Sequence, residues 1–328
     1  MLYPLKFKAQ YHEKIWGGNK INTILHKNYS PLSNCGESWE ISGMQNYSSE
    51  IVNGFLAGNT LNEIVEVYMG DLVGEKVFDM FGNEFPLLIK FIDAKDNLSI
   101  QVHPDDDYAG KHHLASGKTE MWYIIDTEKN TKINVGFKEQ LTLSELEKHI
   151  QNNTLEDILN FIPIQKGDAF YIPAGQVHAI CKGTLLAEIQ QCADTTFRLY
   201  DYNRKDQSGQ LRPLHIKEAL EAIKFDQNTN APIDYHCHKN TSTPIIRSPY
   251  FAVNTIDFDH CVEKVYAEMD SFVIYICLEG KATIGYEDDY EEKQESISQG
   301  ECILIPALLD NILLTPQPQC KLLEVYIP

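Results

Sequence analysis

The chain has 328 residues, 43% of them hydrophobic, and a formal net charge of −19. That length suits two modest domains or one large β domain, and the apolar content excludes a disordered chain. The acidity argues against nucleic acid and against an anionic membrane surface as partners, so an anionic substrate needs local Lys and Arg to overcome the global field.

Residues 1–6 lack a signal-peptide core, and no run approaches the ~20 apolar residues of a membrane span. None of the eight cysteines forms a C-x-x-C pair, which points to free thiols in a reducing cytoplasm. A helix is expected over about 59–70, where Asn59-Thr60 precedes Leu61, Ile64, Val65 and Tyr68 at helical spacing. Strand-length apolar runs follow at 86–92 and 121–125. Thr142-Leu-Ser-Glu145 is a capping box that opens a helical stretch within 140–160. Further strands are expected at 169–172, 185–189 and 271–277, and a linker lies near 226–243, rich in Asn, Thr, Pro and His.

An internal echo sets the architecture. Lys166-Gly-Asp-Ala-Phe-Tyr-Ile-Pro173 and the residues on to His178 match Gln299-Gly-Glu-Cys-Ile-Leu-Ile-Pro306 and the residues on to Asn311 at a constant offset of 133 (Gly300 on Gly167, Pro306 on Pro173). The pattern resembles the second motif of cupin barrels, in which Gly turns into a strand and Pro precedes a metal-binding His. The expected fold is therefore mainly β: two tandem cupin-type (double-stranded β-helix) barrels with a small helical insertion. Residues 1–235 form the catalytic unit, and 236–328 form a degenerate one in which Asn311 replaces the ligand.

Alternation along a strand puts Ser99, Gln101 and His103 on one face, and Lys118 and Glu120 on one face of the next strand. With His178 from the echo, two His, a Glu and a Gln can hold a divalent cation and leave positions open for substrate or water. His112 and His113 are adjacent in a polar loop and read as surface residues, as do His236 and His238 in the linker. Glu188 interrupts the apolar run 185–189 and faces either solvent or the metal's cavity.

Taken together, Tyr11-His-Glu-Lys-Ile-Trp-Gly-Gly18, Cys35-Gly-Glu-Ser-Trp-Glu-Ile-Ser42, Leu98-Ser-Ile-Gln-Val-His-Pro104, Gly117-Lys-Thr-Glu-Met-Trp122, Pro173-Ala-Gly-Gln-Val-His178 and the run from Glu188 to Arg198 resemble the zinc-dependent type I mannose-6-phosphate isomerases, short bacterial form. The resemblance implies one zinc per chain on Gln101, His103, Glu120 and His178. It also implies an active-site Arg198, an acidic base Glu188 and a pocket Lys118, with substrate contacts from Lys90, Ser99 and Arg204 (Lys205 lies beside it). The implied reaction interconverts mannose 6-phosphate and fructose 6-phosphate by proton transfer through a cis-enediol, in a monomer or homodimer. Trp16, Glu37, Trp39 and Glu40 read as packing or pocket-shaping. The competing readings are a metal-dependent sugar-binding cupin without catalysis and an iron cupin oxygenase. Cationic surroundings and a Gln ligand count against the oxygenase.

Overall fold

The computed structural model describes residues 2–205, 209–226, 231–288 and 291–328; part of the expected linker, 227–230, lies outside them. Three antiparallel sheets carry the chain. One has six strands, running from Gln10–His12 through Glu37–Ser42, Leu87–Ala94, Thr184–Gln191 and Glu120–Thr127 to Ala169–Ile172. A second has five, from Phe197–Tyr200 through Ile100–Val102, His178–Ile180 and Lys132–Phe137 to Leu159–Pro163. These two face each other and form the first barrel. The third has eight strands: every strand from Ser242–Arg247 onward, plus Leu5–Lys6, which pairs with Cys302–Ile305. The amino-terminal strand thus belongs to the sheet of the carboxy-terminal segment.

Period-two alternation decides what faces where. In Leu87–Ala94, Leu87, Ile89 and Phe91 point outward into a core shared with Ile274, Ile276, Leu323 and Val325 of the third sheet. Ile92 and Ala94 point inward beside Trp122, Ile124 and Leu186. The two barrels therefore pack back to back. The outer face of the five-stranded sheet is covered by helices Leu143–Gln151, Leu155–Ile158 and Ile216–Ala222.

The helix expected near 59–70 runs over Leu61–Val73, with Thr60 and Glu63 completing its capping box. The stretch 140–160 holds two short helices, Leu143–Gln151 and Leu155–Ile158, and its last two residues already belong to strand Leu159–Pro163. Helices Glu75–Phe81, Asp106–Lys111 and Ile216–Ala222 lie outside the expected helical segments. The strand expected at 271–277 extends over Val273–Asp288, because its outer half is a polar hairpin arm pairing with Glu291–Ser298. Both copies of the echo turn on a glycine of similar backbone, Gly167 at φ 93° and Gly300 at φ 82°, a region where a Cβ is strained.

Candidate active site

Register brings the expected ligands together. Gln101 sits opposite His178 on one side and Arg198 on the other. Glu120 opens a strand of the facing sheet, opposite Gln190 and Ile172. His103 follows the Gln101 strand directly. The Nε2 atoms of His103 and His178 lie 3.2 Å apart, and Glu120 places Oε2 3.4 Å from the first and Oε1 3.5 Å from the second.

The imidazole tautomers follow from the atoms behind the rings. His103 Nδ1 donates to the Thr195 carbonyl and His178 Nδ1 to the Gln176 carbonyl, each at 2.9 Å. A carbonyl only accepts, so each Nδ1 carries the proton and each Nε2 turns a lone pair to the centre. Burial pushes the His103 pKa down to about 3, with Lys118 adding to the effect, and burial lowers His178 as well. Burial opposes the charge of Glu120, but Lys118 and the two imidazoles hold it well below the usual carboxylate range. Neither carboxylate oxygen accepts a hydrogen bond, although Lys118 Nζ stands 3.0 Å from Oε2.

Lys118 Nζ, 3.0 Å from both His103 Nε2 and Glu120 Oε2, relieves one side of this cluster. His178 Nε2 and Glu120 Oε1 on the other side still face each other without it, and a shared divalent cation would relieve them. The donor set of His103, Glu120 and His178, all buried, therefore fits a divalent metal ion. Gln101 Nε2 lies 3.4 Å from His178 Nε2, and Ser99 Oγ donates to Gln101 Oε1 at 3.0 Å. Turning the amide over would offer its carbonyl to the same ion.

A second row crosses the six-stranded sheet. Glu188 pairs with Lys90 on one side and Trp122 on the other, and Lys90 pairs with Trp39. Glu188 faces inward, which resolves the alternatives open in the sequence. Trp122 Nε1 donates to Glu188 Oε2 at 3.0 Å, and Lys90 Nζ stands 3.5 Å from Oε1, which accepts no hydrogen bond. Burial, then the nearby Glu120 charge, raises the Glu188 pKa. Glu37 Oε2 accepts a hydrogen bond from Trp39 Nε1 at 2.8 Å, and Glu37 pairs with Lys14 at 3.1 Å.

Lys14, Glu37, Lys90 and Glu188 line one cavity of about 320 Å³, together with Trp16, Ser99, Lys118, Arg198 and, of the four ligand candidates, Gln101. A larger hollow of about 450 Å³ around Gly17, Gly18 and Asp93 contains none of them, so volume alone does not mark the site. The Arg198 guanidinium is half-buried, and among the described residues it pairs with no carboxylate. Burial and neighbouring Arg212 lower its pKa. Arg204 does not line the cavity. It donates to the Asn97 carbonyl and, at 2.5 Å, to Asp201 Oδ1. Glu40 also points away, bound to Lys27 at 2.7 Å. Arg212, His215 and Asp194 line the cavity but were passed over in the sequence. All three lie in or beside irregular segments without periodicity, where only a residue's charge could have drawn attention.

The family model for the catalytic domain of type I phosphomannose isomerase matches residues 4–153. A mannose-6-phosphate isomerase from Streptococcus mutans is 34% identical over 93% of both chains. Another from Bacillus subtilis is 36% identical over 97% of both. A crystal structure of the mannose 6-phosphate isomerase from Bacillus subtilis superposes with a TM-score of 0.87 at 34% identity, covering 98% of this chain and 99% of that one. A phosphomannose isomerase structure from Salmonella typhimurium, 16% identical, shares the fold with a TM-score of 0.77.

Proposed function

This chain belongs to the type I phosphomannose isomerases, and we propose that its cavity interconverts mannose 6-phosphate and fructose 6-phosphate on one zinc ion per chain, held by Gln101, His103, Glu120 and His178. The enzyme is an aldose–ketose isomerase. The observation that carries the site assignment is the convergence of two imidazole lone pairs and an unsatisfied Glu120 carboxylate beside a buried Glu188.

The bound zinc supplies Lewis-acid polarisation or orientation of the sugar oxygens. The rest of the chemistry belongs to side chains. Glu188 Oε1 is the base that takes the proton from one of the two reacting carbons and returns it to the other by way of a cis-enediol. Its partner oxygen is fixed by Trp122, so the free oxygen is already aimed. Arg198 stabilises the developing enediolate charge. Lys118, 3.0 Å from both His103 Nε2 and Glu120 Oε2, shuttles a proton or stabilises charge. Lys90 orients Glu188 and meets the substrate, and Ser99 meets the phosphosugar from the floor. Arg204 serves the phosphate end through Asp201. Residues 1–235, apart from the Leu5–Lys6 strand that joins the third sheet, act as the catalytic unit and 236–328 as its carboxy-terminal partner. All eight cysteines are free thiols and no described helix is long and apolar enough to cross a membrane, which supports a cytoplasmic setting.

The test couples metal analysis of the purified protein to an assay for fructose 6-phosphate formed from mannose 6-phosphate. Zinc near one per chain with turnover is expected. Zinc without turnover would replace this reading with a sugar-binding module, and iron with oxygen uptake would replace it with an oxygenase.

A further inference from the structure

The cations of the cavity are not equivalent. Lys14 is matched by Glu37 at 3.1 Å, Lys90 by Glu188 at 3.5 Å and Lys118 by Glu120 at 3.0 Å. At the Arg198 end the balance differs. Asp201, buried, receives two guanidinium groups at once. Arg212 binds it side-on, Nε to Oδ2 at 2.6 Å and Nη2 to Oδ1 at 2.5 Å, and Arg204 Nη2 reaches Oδ1 at 2.5 Å. Arg204 also lies 3.9 Å from exposed Asp96, a contact that water screens. One carboxylate thus serves two arginines, and Arg198 beside them has no carboxylate partner among the described residues. Exposed Asp194 is the one acidic group lining this end of the cavity. Three arginines against Asp201 and Asp194 leave an excess of about one positive charge here in a chain of net charge −19, the sign that a phosphate monoester, about −1.5 to −2 at pH 7, requires.

Geometry separates the three arginines. Arg212 lines the cavity and Arg204 does not. With Nε and Nη2 engaged by Asp201, Nη1 is the Arg212 nitrogen that Asp201 leaves to other partners. Arg204 is anchored at its far end by the carbonyl of Asn97, two residues before Ser99. His215 closes the same side, its Nδ1 accepting the Arg198 backbone N–H at 3.2 Å while its own backbone N–H bonds the Arg198 carbonyl at 2.8 Å.

We propose that Arg212 is the residue that grips the substrate's phosphate, and that Asp201 and Arg204 are positioning residues that hold Arg212 in place. This rests on the phosphosugar reading above and adds to it the assignment of the anion contact. A planar guanidinium pre-set by a buried carboxylate loses little freedom when it takes a second oxyanion, so the arrangement favours binding over turnover.

The probes are mannose 6-phosphate and inorganic phosphate as a competitive inhibitor. Arg212→Gln should raise KM for the sugar phosphate and the phosphate inhibition constant together, by about 10- to 100-fold, the size of a lost charge-assisted hydrogen bond. Its kcat should stay within about threefold and its zinc content near wild type, while the melting temperature falls by several degrees because buried Asp201 loses charge-assisted hydrogen bonds. Arg212→Lys, which keeps charge but not the fork, should fall between. Arg204→Gln should give the same paired shift, smaller, because it acts through Asp201. If wild type isomerises mannose 6-phosphate and is inhibited by phosphate, yet Arg212→Gln changes neither constant, the assignment is overturned and the phosphosugar reading stands. If wild type does neither, both fall.

Discussion

The two barrels carry the same buried carboxylate in the same place and treat it in opposite ways. Glu188 of the first lies in register between Lys90 and Trp122. Glu324 of the second lies in register between Asn254 and Tyr275. Glu188 receives one hydrogen bond, from Trp122, and its Oε1 accepts none. Glu324 is saturated: Tyr266, Tyr275 and Lys264 reach Oε1 at 2.6, 3.2 and 2.7 Å, and Ser242 and Asn254 each reach Oε2 at 2.8 Å. Asn311, the echo of His178, is exposed where His178 is buried. A buried polar group left short of partners is retained for what it does, and a fully partnered one for what it holds together. On the proposed roles, one scaffold would supply a reaction centre in one half and a polar core plug in the other.

Breaking that contrast starts with the largest effect. His178→Ala removes a ligand that Gln176 orients from behind, and metal and isomerase activity should be lost together, read by metal stoichiometry and the coupled assay. Glu188→Gln comes next. It preserves shape and the Trp122 contact but removes the base, so kcat should drop by about 10²- to 10⁴-fold with zinc content unchanged. Near-native turnover in that variant would dismiss Glu188 from the reaction.

The matching change in the second barrel should invert the readouts. Glu324→Gln keeps an isosteric amide but strips the negative charge from Lys264 and turns one acceptor into a donor facing other donors. Hydrogen bonds to a charged group contribute about 1.5–3 kcal/mol, so a melting point lower by several degrees is expected, with kcat close to wild type. A kcat loss as large as that of Glu188→Gln would show that the second barrel shares in catalysis.

The metal cluster was legible because it obeys a local rule. Period two sets Ser99, Gln101 and His103 on one face, and Lys118 and Glu120 on another, and the structure joins Ser99 to Gln101 and Lys118 to Glu120 directly. His178 was legible through the echo, which reports a shared glycine turn. Glu37 and Trp16 were assigned to packing or pocket shape, and both line the cavity. The polar arms of the long hairpin were not legible as strand, since a charged edge strand and a loop share a composition. Nor was the clamp at Asp201: its arginines come from segments that follow no period, and only tertiary folding puts two of them on one carboxylate. Chemistry borne on regular strands can be read from spacing, whereas chemistry borne on irregular segments needs coordinates.

The smallest effect is also the one that separates the two carboxylates by sign. Burial and Glu120 raise the pKa of Glu188. Burial also works against Glu324, but Lys264 and its hydrogen-bonding neighbours outweigh it and lower that pKa. By linkage, a raised carboxyl contributes stability below its unfolded pKa of about 4.3, and that contribution is lost as pH rises through the folded value. A lowered carboxyl contributes stability above about 4.3, and that contribution is lost as pH falls through the folded value. In chelator-treated protein, acidification from neutral pH should therefore relieve the Glu188 half and, further down, weaken the Glu324 half. Melting curves between pH 3 and pH 8 should show Glu188→Gln removing a stabilisation that grows on acidification, and Glu324→Gln removing a stabilisation that shrinks. Parallel curves for the two variants would mean that the carboxylates sit in equivalent environments after all, and that their difference in partners has no energetic counterpart.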